Sequence, residues 1–371
     1  MISPVYLDYA ATAPLDPAAV AAMREAAETW ANPSSVHRAG RRAHAMLEGA
    51  RDRIAASLGC ASRALLFTSG ATEAIGIALR SDASASVLVS AVEHDAVRLQ
   101  ALGAKIIPVD GAGQVDLAAL AALLATASAP VLVAVMQANN ETGVLQPLPE
   151  IAALVAAAGG KLLVDAVQGV GKLPLPEADF VAVSAHKCGG PPGVGALIVR
   201  DLDGCAASRA GGGQERGYRA GTENLPGIAG FAAALAERTA DAGWLERAAS
   251  LRDGLEAQLD GAEFVGAVAP RLGTISCIRM AGVAAMTQVM ALDLAGFAVS
   301  AGAACSSGKV GASHVLRAMG MSERAAGEAI RVSLGWRTTA AEIDAFAAAW
   351  NALAARQRAK LTSDARREQA A

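Results

Sequence analysis

Aromatic side chains are scarce in this chain, with 4 Trp, 3 Tyr and 6 Phe among 371 residues. Any core must therefore be aliphatic, and 53% of the chain is hydrophobic, much of it alanine. Charge is also thin, at 18%, with 32 Lys+Arg against 35 Asp+Glu and a formal net charge of −3. High apolar content with little charge excludes intrinsic disorder. The near-neutral balance gives no reason to expect nucleic acid or an anionic membrane as the main partner. Cysteines number five (Cys60, Cys188, Cys205, Cys277 and Cys305), form no CxxC pair and do not cluster with histidine. That argues against a disulfide framework and against a zinc or other metal site, and it predicts a reducing, cytoplasmic compartment. No signal peptide is expected, because Asp8 interrupts the start before an apolar run can form. One uncharged stretch, 117–140, is long enough to cross a bilayer. It contains Thr126, Ser128 and Pro130, and reads better as a helix over 116–126 followed by a buried strand over 131–136.

The length suits one large or two medium domains. Short apolar runs alternate with longer helical patterns through the first two thirds. Strands are predicted at 64–68, 87–90, 105–109, 131–136, 162–165, 180–184 and 196–199. Most are β-branched without alternation, as strands covered on both faces are. Helices are predicted between them, at 72–80, 117–125 and 149–158, the last running from Pro149-Glu150 to Gly159-Gly160. This rhythm predicts an α/β fold with a mostly parallel, doubly wound sheet. Near Gly211 the texture changes to a Gly- and Arg-rich loop, GGGQERGYRAGTEN. A second unit is expected from about residue 245, with strands near 274–278 and 330–334. The polar last fifteen residues read as a frayed helix, and no internal repeat is visible.

Ligands of open α/β sheets bind at the carboxyl ends of the strands. Polar residues gather there: Thr68 to Thr72, Glu93-His94, Asn139-Asn140-Glu141, Asp165 with Gln168, and Ser184 to Lys187. Lys187 leaves an apolar strand and is followed by Cys-Gly-Gly-Pro-Pro-Gly. It is either a solvated loop lysine or a Schiff-base lysine for pyridoxal 5'-phosphate, whose amine must be desolvated to act as nucleophile. Asp165 is either a helix cap or the carboxylate that keeps a pyridine nitrogen protonated. Gln168, one turn on, could donate to the phenolic oxygen. Gly70, Ala71 and Thr72 open a helix whose N–H groups suit a phosphate. His94 is either structural or stacked on a cofactor ring. Arg331 is either in an ion pair or the grip for an amino acid carboxylate. Cys305 lies among small residues with nothing large to pack it, so a reactive thiolate competes with a small buried hydrophobe. His37, His44 and His314 read as structural.

Taken in order, the segments YLDYAATAPLDP, NPSSVHRAGR, TSGATEA, EHDAV, NNETGVLQPL, VDAVQGVGKLP, SAHKCGGPPGVGAL, GGGQERGYRAGTEN, SAGAACSSG, SHVLRAMG and IRVSLGW resemble the cysteine desulfurases of the nitrogen-fixation and iron–sulfur cluster-assembly type, in the class V aminotransferase family. The likeness spans roughly residues 5 to 340. It implies a fold-type I pyridoxal phosphate enzyme, with a seven-stranded, mostly parallel sheet in a large domain (16–244). A small α/β domain would be made of 1–15 and 245–371, with the cysteine loop at about 300–312. By the same resemblance Lys187 carries the cofactor, and His94 stacks on its ring as an acid–base group. Asp165 meets the pyridine nitrogen and Gln168 the phenolic oxygen. Gly70, Ala71, Thr72, Ser184 and His186 hold the phosphate, with Thr222 reaching in from a second subunit. Asn140 and Arg331 bind the substrate carboxylate, and Cys305 accepts the sulfur.

The implied activity converts L-cysteine to L-alanine and leaves a persulfide on Cys305, for a sulfur-acceptor or iron–sulfur scaffold protein. A homodimer in the cytoplasm is implied, without membrane or nucleic acid. Selenocysteine lyase, or an aminotransferase of the same family, is the alternative. A scaffold role without catalysis is disfavoured because Lys187, Asp165, His94, Arg331 and Cys305 are all present. A dinucleotide-binding enzyme is disfavoured because no GxGxxG follows the first strand. The chain departs from the usual pattern at Gln214, where many relatives have histidine, and at Cys188-Gly-Gly-Pro-Pro, where a bulky aromatic followed by Gly-Pro-Lys is more typical.

Overall fold

The computed structural model describes residues 4–81, 86–202, 205, 211–241, 243–302 and 312–370, with side chains described through residue 359. After the short β1 (Val5–Tyr6), seven strands build one sheet: β2 (Leu65–Thr68), β3 (Ser86–Ser90), β4 (Lys105–Ile107), β5 (Val131–Met136), β6 (Lys161–Asp165), β7 (Phe180–Ser184) and β8 (Gly195–Val199). Their order is β2-β8-β7-β6-β5-β3-β4. The neighbours from β7 through β4 run parallel, while β8 is antiparallel to both β2 and β7. Only the ten residues 185–194 join β7 to β8. That connection is shorter than a parallel crossover requires, which accounts for the reversal.

Every residue of β5, β7 and β8 is buried. Their side chains divide between two apolar layers by the period of two. Val131, Val133 and Val135 join one core with the helices Arg38–Leu58 and Leu225–Ala240, while Leu132 and Ala134 join another with the helix Ala71–Leu79. This is the predicted doubly wound arrangement, with strand limits within about two residues of those expected. Strand β4 stops early because Pro108 has no N–H to continue the ladder. The uncharged stretch is the helix Leu117–Thr126 followed by β5. No helix among the described residues is long and apolar enough to cross a membrane.

The later chain adds β9 (Glu263–Phe264), β10 (Ile275–Arg279), β11 (Phe297–Ala298), β12 (Ser300–Ala301) and β13 (Ala329–Ser333). They form an antiparallel sheet, β12-β13-β10-β9, while β11 pairs in parallel with β1. A separate core of Leu7, Ile278, Phe297, Ile330, Phe346 and Trp350 lies there. Leu7 belongs to it, so the first described residues fold onto the end of the chain and carry Asp8 to a bridge with Ser333. The polar C-terminal stretch is the end of one 31-residue helix, Ala340–Ala370.

The small residues after Lys187 have a packing reason. A Cβ at Gly189 would lie 3.0 Å from Trp336, whose ring fills that space and stacks under Arg238 at 3.8 Å. Cys188 is buried and donates its thiol hydrogen to Ala185 O.

Candidate active site

A cavity of about 430 Å³ lies at the carboxyl ends of the parallel strands and is closed on one side by β13. The turn after β2 supplies Gly70, Ala71 and Thr72. Gly70 has φ 151°, which an L side chain would strain, and the helix Ala71–Leu79 starts there with no side-chain cap. Its first N–H groups and positive dipole end therefore form a cradle for an anion. Gly195 presses against this turn, where an added Cβ would meet Val183 O at 2.5 Å and Gly70 Cα at 2.7 Å. Glu73, in the first helical turn, accepts from Ser69 N and pairs with Arg219 at 3.3 Å.

Ser184 ends β7, and the 3-10 turn Ala185–Lys187 presents His186 and Lys187 to the same cavity. The His186 ring is pushed down to about 4 by burial and then by the Lys187 ammonium, so it is neutral at pH 7. Lys187 Nζ donates to Ala10 O and Ala11 O, each at 2.8 Å.

Asp165 ends β6, and its Oδ1 accepts from Val167 N at 3.0 Å. Burial raises its carboxyl above the ordinary range, against that hydrogen bond and the attraction of His94 and Lys187. No helix follows β6, so the helix-cap reading does not hold: Asp165 ties down a turn through Val167 N while the residue lines the cavity. Gln168 donates through Nε2 to Ala10 O at 2.9 Å, and its Oε1 is buried with no partner among the described residues. His94 caps the helix Asp95–Arg98, its Nδ1 accepting from Ala96 N at 3.1 Å, so a neutral ring carries its proton on Nε2.

Arg331 comes from the other sheet and is 2% exposed. Its Nη2 donates to Asp8 Oδ1 at 2.7 Å and its Nη1 to Asn140 O at 2.9 Å. It is indeed in an ion pair, but a buried one that lines the cavity, and each Nη nitrogen has a second hydrogen to offer. Asn140 lines the cavity, whereas Asn139 turns inward and ties the bend together by accepting from Glu141 N and Thr142 N.

Sequence reasoning assigned no role to three carboxylates here, of which Glu93 and Glu141 are buried and Asp8 partly so. Asp8 holds Arg331, from 323 positions away in the chain. Glu93 is fully buried, accepts from Met136 N at 2.7 Å, and is pushed well above the usual carboxylate range by burial and then by Asp165. Glu141 accepts from Ser313 Oγ at 2.6 Å, and burial pushes it up to about 7. The only signal was the presence of acidic residues at apolar strand ends.

Of the residues singled out from sequence, Gly70, Ala71, Thr72, His94, Asn140, Asp165, Gln168, Ser184, His186, Lys187 and Arg331 all line this cavity. Thr222 does not; it is exposed elsewhere on the surface. Cys305 lies outside the described residues. Larger concavities, of about 750, 890 and 900 Å³, open elsewhere, but no lysine lines them. Among the described residues no group of three or more His, Cys, Asp or Glu could hold a metal ion.

These residues fit pyridoxal 5'-phosphate. The uncapped helix start suits its phosphate, the buried Asp165 a protonated ring nitrogen, and Lys187 its carbonyl carbon. Gln168 Nε2, which gives one hydrogen to Ala10 O, keeps a second to donate to the phenolic oxygen.

Residues 5–346 match the family model described as aminotransferase class V. A cysteine desulfurase of Cereibacter sphaeroides is 42% identical over 363 residues, covering 92% of this chain and 93% of that protein. An IscS-like cysteine desulfurase of Mycobacterium tuberculosis is 37% identical, with 92% and 93% coverage. Among solved structures, a NifS-like protein of Rickettsia africae superposes with a TM-score of 0.87 at 33% identity, covering 94% of this chain and 98% of that one.

Proposed function

The chain belongs to the class V aminotransferase family, and we infer that it is a pyridoxal phosphate-dependent cysteine desulfurase. The carrying observation is the convergence of Lys187, Asp165, His94 and Arg331 on one cavity whose wall includes an uncapped helix start. Bound there, the cofactor supplies an electron sink that acidifies the Cα–H of an attached amino acid.

The protein's own groups then divide the work. Gly70, Ala71 and Thr72, with Ser184 and neutral His186, hold the phosphate. Asp165 keeps a proton on the ring nitrogen, and Gln168 faces the phenolic oxygen. His94 covers the ring as an acid–base group. Arg331, oriented by Asp8 and by Asn140 O, holds the substrate carboxylate with its remaining N–H groups, and the Asn140 side chain assists. Lys187 Nζ carries the cofactor and, once released, moves the Cα proton. Two carbonyl acceptors, Ala10 O and Ala11 O, lie within its reach.

Sulfur leaves by attack of a thiolate. The four described cysteines are poor candidates. Burial raises the thiol of Cys60, Cys205 and Cys277, and pushes Cys188 up to about 12. Cys305 remains, and it takes the sulfur. The substrate Cβ–S bond breaks, an S–S bond forms, Cβ gains a proton, and cysteine plus the Cys305 thiol become alanine plus a persulfide.

The persulfide passes to an acceptor protein for iron–sulfur cluster assembly in the cytoplasm. The protein works as a homodimer in which Thr222 completes the neighbour's phosphate site. Its large domain is 16–244, and its small domain is 1–15 with 245–371, a division supported by the separate core around Leu7, Phe346 and Trp350. Replacing Cys305→Ser is expected to leave cofactor absorbance intact and to lower sulfide release and persulfide formation at least 100-fold. Undiminished persulfide formation, measured by mass spectrometry after adding L-cysteine, would remove Cys305 from its role.

A further inference from the structure

Two acidic side chains, the half-buried Asp8 and the buried Glu141, connect Arg331 with the residues on either side of segment 303–311. On one side, Asp8 Oδ1 accepts from Arg331 Nη2 at 2.7 Å, while its Oδ2 accepts from Ser300 Oγ at 2.8 Å. On the other, Asn140 O accepts from Arg331 Nη1, and the next residue, Glu141, accepts from Ser313 Oγ at 2.6 Å. Glu141 also lies under Gly302, where an added Cβ would stand 2.7 Å from its Oε2. A single carboxyl group thus touches both flanks of the segment, eleven positions apart, and is bonded through one peptide unit to the carbonyl that grips Arg331.

The Ser313 hydroxyl that Glu141 accepts from also caps the helix His314–Ala318 by accepting from Leu316 N, so Glu141 is tied to the start of that helix. Glu141 is 3% exposed and has no ion-pair partner within 4 Å among the described residues. Burial of a carboxyl costs stability unless its hydrogen bonds compensate. The charged and titratable groups acting on it are Arg331, His94 and Asp95, and it acts in turn on the Cys277 thiol.

We propose that Glu141 is a positioning residue for sulfur transfer: through Ser313 and Gly302 it fixes both roots of the Cys305 segment relative to Arg331, and so relative to the bound substrate. Asp8 is the parallel link on the Ser300 side. Substrate binding depends on Arg331 itself, which keeps Asp8 and Asn140 O when the Glu141 side chain is removed. The transfer step depends on where the segment's roots stand. This rests on the reading that Cys305 receives the sulfur.

The test uses the cofactor-loaded enzyme in single turnover with L-cysteine, reading persulfide on the Cys305 peptide by mass spectrometry alongside KM and kcat. Glu141→Ala is expected to slow persulfide formation at least tenfold and to change KM less than threefold. Glu141→Gln, which keeps an oxygen acceptor for Ser313, is expected to recover most of the rate. Ser313→Ala removes the hydroxyl that meets Glu141 and caps the helix His314–Ala318, so it tests the same link with a thermal melt to report any cap loss. A loss of about threefold or more in kcat with KM unchanged is expected. Wild-type rates in both Glu141→Ala and Ser313→Ala would overturn the proposal. So would a loss confined to KM. Absence of persulfide on Cys305 in the wild-type enzyme would instead overturn the desulfurase reading on which it rests.

Discussion

Acidic residues decide much of what this site does, and each is tuned by a different neighbour. Asp165 is buried yet faces Lys187 and His94, which pull its charge back. Glu93, one residue before His94, is fully enclosed with one oxygen unpaired among the described residues, and burial followed by the Asp165 charge pushes its carboxyl well above the usual range. Of these two neighbouring carboxyls, only Asp165 has the cations His94 and Lys187 acting to favour its charge. Glu141 gives this tuning a measurable consequence. Its folded pKa, about 7, lies above the ordinary 4.5, so the folded chain binds this proton more tightly than the unfolded one. Its contribution to stability is therefore complete below pH 4.5 and is lost as pH rises through 7, about 3 kcal/mol in all. Glu141→Gln stays neutral throughout. Urea midpoints at pH 5 and pH 8 are expected to show the wild type losing about 2–3 kcal/mol relative to this variant. Parallel pH trends in the two proteins would contradict the assignment.

At the scale of elements, the phosphate cradle is made by close approach of three pieces of backbone. The turn at Gly70 lies between the end of β2 and the start of β8, and Gly195 is what allows them to meet. Gly195→Ala would place a methyl 2.5 Å from Val183 O, so backbone rather than a flexible side chain must move. A loss of roughly 1–3 kcal/mol in stability is expected, together with weaker cofactor retention. Denaturant unfolding with and without pyridoxal phosphate measures both, and an unchanged midpoint would show that the contact is not tight.

The strands of the large sheet were legible because burial on both faces demands β-branched runs, and 131–136 and 180–184 are such runs. The strand-end polar residues were legible for the complementary reason, since nothing in folding places Lys187, Asp165 or Arg331 beside apolar strands. The antiparallel course of β8 was not visible in its composition, which matches its parallel neighbours. Two-residue strands such as β1 and β11 have no periodicity to read. The Asp8–Arg331 pair and the Glu141–Ser313 bond join residues 323 and 172 positions apart, and a single sequence carries no record of such proximity. The gap left for Trp336 was visible only as an odd run of small residues after Lys187.

For the whole molecule, the site stands where the two cores meet. The large sheet supplies the residues proposed for the cofactor, the smaller sheet supplies Arg331 and the Ser300–Ala301 flank of the Cys305 segment, and the start of the helix His314–Ala318 supplies the other flank. The chain's first described residues lie between them, with Leu7 in the second core, Asp8 on Arg331, and Ala10 and Ala11 on Lys187. Cofactor and substrate groups are therefore registered to each other by a segment remote in sequence from both. The most direct measurement is the absorbance spectrum of the purified protein before and after L-cysteine, with alanine and sulfide quantified from the same sample. A violet-region band that shifts on adding cysteine, accompanied by alanine and, with a thiol reductant present, sulfide in equal amounts, is the expected result. A protein that shows no such band even after incubation with pyridoxal phosphate, or a band that responds to cysteine without forming alanine, would contradict a desulfurase built on Lys187.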